Sequence, residues 1–196
     1  MYEIPTYIEI NKQSYPIRNK GDYRMVLDCF VTLNDETLSK KERVYATLII
    51  FYEGMESLSD LNQFEDINEA VKQMFIFFNC GNNPEDNSSN MPKLINWEQD
   101  SQIICAAVNK VAGQEIRLVE YMHWWTFMGY YLSIGQSVLS QVVNLRYKLV
   151  KGTKLEKWER QFQQDNPQYF KVDLRTVQQR EDDSFIQDLR DTWNED

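Results

Sequence analysis

The sequence predicts a mostly α-helical fold, a globular domain of about six to seven helices with an N-terminal β-hairpin. Three observations carry this reading. Apolar residues recur at helical spacing along most of the chain. Ser/Thr-x-x-Glu pairs, which supply acceptors to the free N–H groups of a helix start, open two of these stretches. Four of the seven glycines (Gly54, Gly81, Gly113 and Gly152) fall where such a stretch should stop, as left-handed C-caps do.

Residues 4–17 read as the hairpin. Ile4, Thr6, Ile8 and Ile10 alternate with Pro5, Tyr7 and Glu9, Asn11-Lys12 forms the turn, and Ser14-Tyr15-Pro16-Ile17 returns. Pro5 and Pro16 lack a ladder N–H and must face an edge. A two-stranded hairpin is marginal in water, so it must pack on helices or pair with another chain. After Gly21, the spacing of Tyr23, Val26, Leu27 and Phe30 starts a first helix. Ser39-Lys40-Lys41-Glu42 caps a second, whose Val44–Tyr52 run is apolar all round, and Gly54 stops it. A third runs from Asp66 to Gly81 and is apolar on every face over Met74–Phe78. Residues 81–95, rich in Gly, Asn, Pro and Ser, form an exposed loop.

Asn96 is read as the cap of a fourth helix, Trp97 to Ala112, which Gly113 ends. A fifth is expected from about Gln114 to Ile134 and a sixth from Ser137 to Val150, ending at Gly152. Thr153-Lys154-Leu155-Glu156 caps a short seventh through about Gln164. The domain is bounded at residue 172. From Asp173 onward eight acidic residues face three arginines, a net of −5. Phe185, Ile186, Leu189 and Trp193 are spaced through this acidic tail. It reads either as a frayed surface helix or as a segment that folds on a partner.

The 196 residues carry 21 basic and 30 acidic side chains, a net of −9. That balance argues against nucleic acid, whose binders neutralise phosphates with Lys and Arg, and against anionic lipid. Cys29, Cys80 and Cys105 are odd in number and far apart, which fits a reducing compartment rather than a disulfide framework. The start, Met-Tyr-Glu-Ile-Pro, shows no basic-then-apolar leader pattern. Tyr121 to Leu145 holds no Asp, Glu, Lys or Arg, a length able to cross a bilayer. Its many Ser, Gln and Asn residues, with Gly129 and Gly135, point instead to two buried helices meeting near Gly135.

Catalytic chemistry finds little support. The single histidine, His123, sits among aromatic residues and reads as a hydrogen-bonded core residue, because a metal or general-base site needs partners nearby. The cysteines read as small hydrophobes. Phosphate-binding glycine motifs and nucleophile elbows are absent from the sequence. No catalytic residue, cofactor or metal ligand is therefore expected, and the protein is expected not to be an enzyme.

Two features remain. Arg146, Lys148, Lys151, Lys154, Lys157 and Arg160 face only Glu156 and Glu159, a local net of +4. This run is either a solvated face with helix-end lysines favoured by the helix dipole, or a docking patch for an acidic partner or an acidic tail, of this chain or a neighbour. The block His123-Trp124-Trp125-Thr126-Phe127-Met128-Gly129-Tyr130-Tyr131 cannot sort its rings onto one helical face. It is expected to be the central helix of the domain, with a half-exposed helix covered by a partner as the alternative.

On His123-Trp124-Trp125-Thr126-Phe127, the Arg146 region and Lys151-Gly152-Thr153-Lys154-Leu155-Glu156-Lys157-Trp158-Glu159, the chain resembles the bacteriophage gene-product-fifteen family over roughly residues 1–172. The resemblance implies fold-defining roles for His123, Trp124, Trp125, Phe127, Gly152, Leu155 and Trp158. It implies a gene in the tail module of phages of Gram-positive bacteria, close before the tape-measure gene. Proteins from that position are commonly tail assembly chaperones, which coat the tape-measure protein while major tail protein polymerises around it. The expected role is thus a non-enzymatic chaperone that binds tape-measure protein, with a structural component of the mature tail and a phage protein that binds and inhibits a host factor as the alternatives; the expected partners are the tape-measure protein, major tail protein and a second copy of the chain, in the host cytoplasm. The expected contact residues are the basic run together with Phe185, Leu189 and Trp193. The all-round apolar runs Val44–Tyr52 and Met74–Phe78 could supply a groove or a self-association surface.

Overall fold

The computed structural model describes residues 3–83 and 94–171. The expected tail from 173 onward, with Phe185, Leu189 and Trp193, lies outside the described residues, as does most of the loop over 81–95. The mostly helical class is borne out. The described elements are a hairpin, β1 (Tyr7–Ile10) and β2 (Gln13–Pro16), and helices α1 (Tyr23–Leu33), α2 (Lys40–Phe51), α3 (Ile67–Phe78), α4 (Ser101–Ala112), α5 (Trp124–Leu132), α6 (Val138–Val150) and α7 (Lys157–Asp165). Short 3-10 turns join them. The chain divides into two compact units: among the described residues, 3–83 with 120–128, and 94–119 with 129–171.

In the first unit, β1 and β2 pair antiparallel with Ile8 opposite Tyr15 and Ile10 opposite Gln13. Asn11 (φ 51°) and Lys12 (φ 72°) make the two-residue turn whose left-handed conformation matches strand twist. One face, with Ile8, Ile10 and Tyr15, is buried, and β1 packs against α3. The hairpin therefore finds its stability on helices of its own chain. The Tyr15 hydroxyl donates to the Gln63 carbonyl at 3.1 Å.

Capping fixes the helix ends here. The reciprocal bonds of Ser39 and Glu42 open α2, with Ser39 N–H donating to Glu42 Oε2 at 2.8 Å and Glu42 N–H to Ser39 Oγ at 3.3 Å. At the other end of α2, the Arg18 guanidinium donates to the carbonyls of Ile49 and Ile50, acceptors that a helix end leaves unpaired, and to those of Tyr52 and Met55 just beyond it. Tyr52 is already extended, so Gly54 lies beyond the helix end rather than at it. At the end of α3, Gly81 N–H donates to Ile76 O and Cys80 N–H to Phe77 O. Cys80 (φ 54°) and the expected Gly81 (φ 89°) are both left-handed, Cys80 at the cap position and Gly81 one residue beyond it.

The expected fifth helix from Gln114 to Ile134 does not form as one piece. Ile116–Leu118 makes a 3-10 turn and α5 starts only at Trp124. The intervening backbone spends its hydrogen bonds on the start of α1. Met122 N–H donates to Asp22 Oδ2 at 3.0 Å, and Tyr23 N–H donates to Met122 O at 2.9 Å. Those groups are unavailable for a helical ladder. Nor is α5 covered on every side. Trp124 and Phe127 are buried at 1% exposure, but Leu132 is 74% exposed. No described helix is long and apolar enough to cross a membrane.

In the second unit, α4 packs on α6 through Ile103, Ile104, Ala107 and Val108 on one side and Leu139, Val142 and Leu145 on the other. Asn96 caps a turn rather than the helix: its Oδ1 accepts from Glu98 N and Gln99 N, and α4 begins four residues later than expected, at Ser101. Gly113 (φ 69°) ends α4 as read. Ser137 and Ser140 cap α6 reciprocally. Gly152 (φ 64°) closes α6, with Thr153 N–H donating to Lys148 O and Gly152 N–H to Leu149 O. The seventh helix starts at Lys157, not near Thr153. The reciprocal carboxylate is Glu159, which accepts from Glu156 N–H at 2.9 Å.

Gly21 and Gly54 separate conformation from space. Both are left-handed, at φ 77° and 83°. A Cβ on Gly21 would stand 2.8 Å from Phe77 Cζ and 2.9 Å from His123 Nε2, whereas one on Gly54 would meet nothing within 4 Å. In denaturant titrations Gly21→Ala should cost more than about 2 kcal/mol and Gly54→Ala about 1 kcal/mol.

Candidate partner-binding site

The basic run lies on α6, α7 and the turn between them, and the structure divides it into an inner and an outer part. Arg146 is inner. On α6 it follows Leu139 by seven residues and Val142 by four, so it falls on the buried stripe of the helix. Its side chain and that of Asp100 are both 0% exposed. Nη1 donates to Asp100 Oδ2 at 2.6 Å and to Leu94 O at 2.8 Å. Nη2 donates to Asp100 Oδ1 at 2.8 Å and to Tyr169 O. Nε donates to Tyr169 O at 2.9 Å. All five guanidinium N–H groups are thereby used. Asp100 Oδ2 also accepts from Asn96 N–H at 2.9 Å. Burying two charges is tolerable only with such saturation. The pair joins α6 to the approach to α4 and to the turn after α7.

Lys148 is also turned inward. Its Nζ donates to Glu159 Oε1, and Glu159, on α7, has a side chain 1% exposed. The Lys148 ammonium and the Glu156 N–H together hold the Glu159 carboxyl below the usual carboxylate range. Leu155 is buried beside it in sequence, four residues before Glu159, and anchors the start of α7.

The outer part is Lys151, Lys154, Lys157 and Arg160, all exposed. Lys151 Nζ stands 5.8 Å from the centre of the Tyr147 ring. Lys154, Lys157 and Arg160 have no carboxylate of the described residues within ion-pairing distance. Trp158 stands among them, 53% exposed, with its indole N–H donating to Glu156 Oε2 at 2.9 Å. Trp158 thus offers exposed apolar area on a helix that also carries Lys157 and Arg160.

The other motif residues belong to the first unit. His123 is 2% exposed. Its Nδ1 accepts from Trp125 N–H at 3.0 Å, which serves the start of α5, and its Nε2 then carries the hydrogen and faces Pro5 O at 3.0 Å. Burial holds its pKa below the ordinary histidine value, against the opposing effects of Pro5 O and Asp22. Trp124 and Trp125 donate their indole N–H groups to Phe78 O and Phe77 O at 2.9 and 3.0 Å. Phe127 stacks on Tyr23 with ring centres 4.8 Å apart. Both histidine nitrogens and both indoles thus serve backbone groups. The Cys29 thiol is 0% exposed and pushed up by burial. Among the described residues no three His, Cys, Asp or Glu side chains converge to hold a metal ion.

The apolar runs once open as groove candidates are largely spent on the core. Val44, Leu48, Phe51, Tyr52, Met74, Phe77 and Phe78 are buried, leaving Tyr45, Ala46, Ile49, Ile50, Phe75 and Ile76 half-buried. Sequence reasoning missed Asp100, Asp22 and the inward turn of Glu159. The available signal was spacing: Asp100 precedes Ile103 and Ile104 by three and four residues, and Glu159 follows Leu155 by four.

Arg146→Met should cost about 3–5 kcal/mol, because it strands the Asp100 carboxylate in the interior. Lys154→Ala and Lys157→Ala should each stay within about 0.5 kcal/mol of the parent. Urea unfolding of the three variants checks both statements.

A family model described as Bacteriophage Gp15 protein matches residues 1–179. No curated protein matches the chain, and no solved structure does. The match covers most of the chain, both units and the basic segment included, and runs past the boundary expected at 172. The chain belongs to the bacteriophage Gp15 protein family.

Proposed function

We propose that this phage protein is a non-enzymatic tail assembly factor, a chaperone that binds the tape-measure protein while the tail is built. Membership of the phage family places the chain in a phage setting. The observation that supports a binding role is the outer face of Lys151, Lys154, Lys157, Trp158 and Arg160. It leaves cations unpaired by described residues beside a half-exposed indole, in a second unit held by its own buried ion pair. A side chain that is free of internal duties and rigidly backed is suited to recognition. Exposed apolar positions in the same unit, Leu118 at 85% and Leu132 at 74%, add surface that an extended helical ligand could cover. His123 and Cys29, the residues closest to catalytic types, are both enclosed by core contacts. Major tail protein is a second partner in this reading, assembly takes place in the host cytoplasm, and neither nucleic acid nor membrane is bound.

Co-expression with fragments of the tape-measure protein tests the reading. A fragment should co-elute with the chain, and Trp158→Ala with Lys157→Glu should weaken that association at least tenfold without unfolding the protein. A strict monomer that retains no tape-measure fragment would contradict it. Mass spectrometry of purified particles adds a second check, because a chaperone should be missing from them.

A further inference from the structure

The hairpin of the first unit keeps its β1 edge open. The register opposes Ile10 to Gln13 and Ile8 to Tyr15, and Ile17 N–H donates to Thr6 O at 2.9 Å. With a two-residue turn at Asn11-Lys12, residues 6, 8 and 10 therefore exchange their main-chain bonds with β2. Tyr7 and Glu9 belong to the alternate pairs, so their N–H and C=O groups point away from β2. No described residue pairs with those four groups. Both side chains are exposed, Tyr7 at 63%. The β2 edge is largely closed. Pro16 has no N–H, its carbonyl accepts from Glu53 N–H at 3.0 Å, and Ile17 bridges Tyr52.

We propose that β1 pairs antiparallel with β1 of a second copy about a two-fold axis at Ile8, joining two hairpins into one four-stranded sheet. In that register Tyr7 exchanges both of its bonds with Glu9 of the second copy, and Glu9 exchanges both of its bonds with Tyr7 of the second copy. The next outward-facing residue along the strand is Pro5, which has no N–H and whose carbonyl faces His123 Nε2 at 3.0 Å. Opposite it would stand Asn11, already in the turn. The ladder thus starts and stops at the same places on both copies, and all four open groups of each are used. A two-fold axis at Glu9 would set two carboxylates directly opposite, and one at Tyr7 would set Glu9 against Pro5, which cannot donate. The axis at Ile8 instead sets each Glu9 across from a Tyr7 ring and keeps the two carboxylates diagonal.

A second copy also suits the edge better than a loose peptide does. Its β1 is already extended and held on α3, so little ordering entropy is lost on pairing. One pairing event covers two open edges, and an isologous contact of this kind closes at two copies. A two-stranded hairpin is marginal, whereas four strands over the apolar face of Ile8, Ile10 and Tyr15 reinforce each other. The contact needs no external partner and so holds whether or not tape-measure protein binds elsewhere on the chain.

Sedimentation of the full chain from about 1 μM to about 1 mM, with residue-resolved amide exchange by NMR over the same range, tests it. The expected result is a monomer–dimer equilibrium in which the Tyr7 and Glu9 amides slow as the dimer fills. Glu9→Pro removes an outward donor and no β1–β2 bond, and should raise the dissociation constant about tenfold or more at an unchanged melting temperature of the monomer. Tyr7→Glu leaves the backbone intact, sets carboxylates opposite each other, and should weaken the dimer about fivefold. Adding Glu9→Lys to Tyr7→Glu should restore pairing to within about twofold of the parent. A monomer at every concentration would overturn the proposal. A dimer that Tyr7→Glu and Glu9→Pro leave unchanged would overturn it too, by placing the interface elsewhere. Slowing of the two amides only when a tape-measure fragment is added to a monomeric chain would overturn it by making a partner's strand the occupant.

Discussion

The second unit depends on one buried ion pair. Arg146 and Asp100 meet with no solvent exposure, and every donor of the guanidinium has an acceptor. Two of those acceptors are main-chain carbonyls, Leu94 and Tyr169, from segments far apart in sequence. A hydrophobic contact at this place would hold the same segments without specifying their register; a forked guanidinium accepts only one arrangement. The arrangement also determines what remains for binding. With Arg146 and Lys148 engaged inside, the positive charge that the basic run leaves outside lies on α7 and the turn before it, where Trp158 stands.

The first unit is held by a different kind of device. Its helices carry large rings, and main-chain polar groups are satisfied by side chains that also pack. Asp22 caps α1 and at the same time accepts from Met122 N–H. His123 serves the start of α5 with one nitrogen and faces Pro5 O with the other. Trp124 and Trp125 take up carbonyls at the end of α3. Gly21 has no side chain because Phe77 and His123 already fill that space. The aromatic motif thus defines the fold by closing backbone hydrogen bonds within the unit, and its residues are not free for a ligand.

Much of the fold was legible in local chemistry. The hairpin turn at Asn11-Lys12, the Ser39–Glu42 box, Asp66 before α3, and Gly113 and Gly152 after α4 and α6 all act within a few residues of themselves, where sequence patterns report faithfully. The failures came from contacts distant in sequence. The break before α5 is caused by Asp22 and Tyr23, about 100 residues away, so the apolar run from 114 to 134 could not reveal it. Glu156 and Glu159 outcompeted Thr153 because Lys148 and the buried Leu155 stabilise the later register. The basic run was legible as a cluster of charge but not as two populations. Separating them required weighing burial stripe above residue type, and a lone arginine on an apolar stripe resists that reading until its carboxylate is located.

A double-mutant cycle on the buried pair tests the account most directly. Arg146→Met, Asp100→Leu and the combined variant would be compared with the parent by urea unfolding at neutral pH. If the pair is what organises the second unit, each single change strands a buried charge and the combination removes both. The double variant should then be no less stable than the worse single, with a coupling of at least about 2 kcal/mol. Strictly additive losses would contradict the account, because they would mean that the two charges act independently and that something else holds α4, α6 and the turn after α7 together.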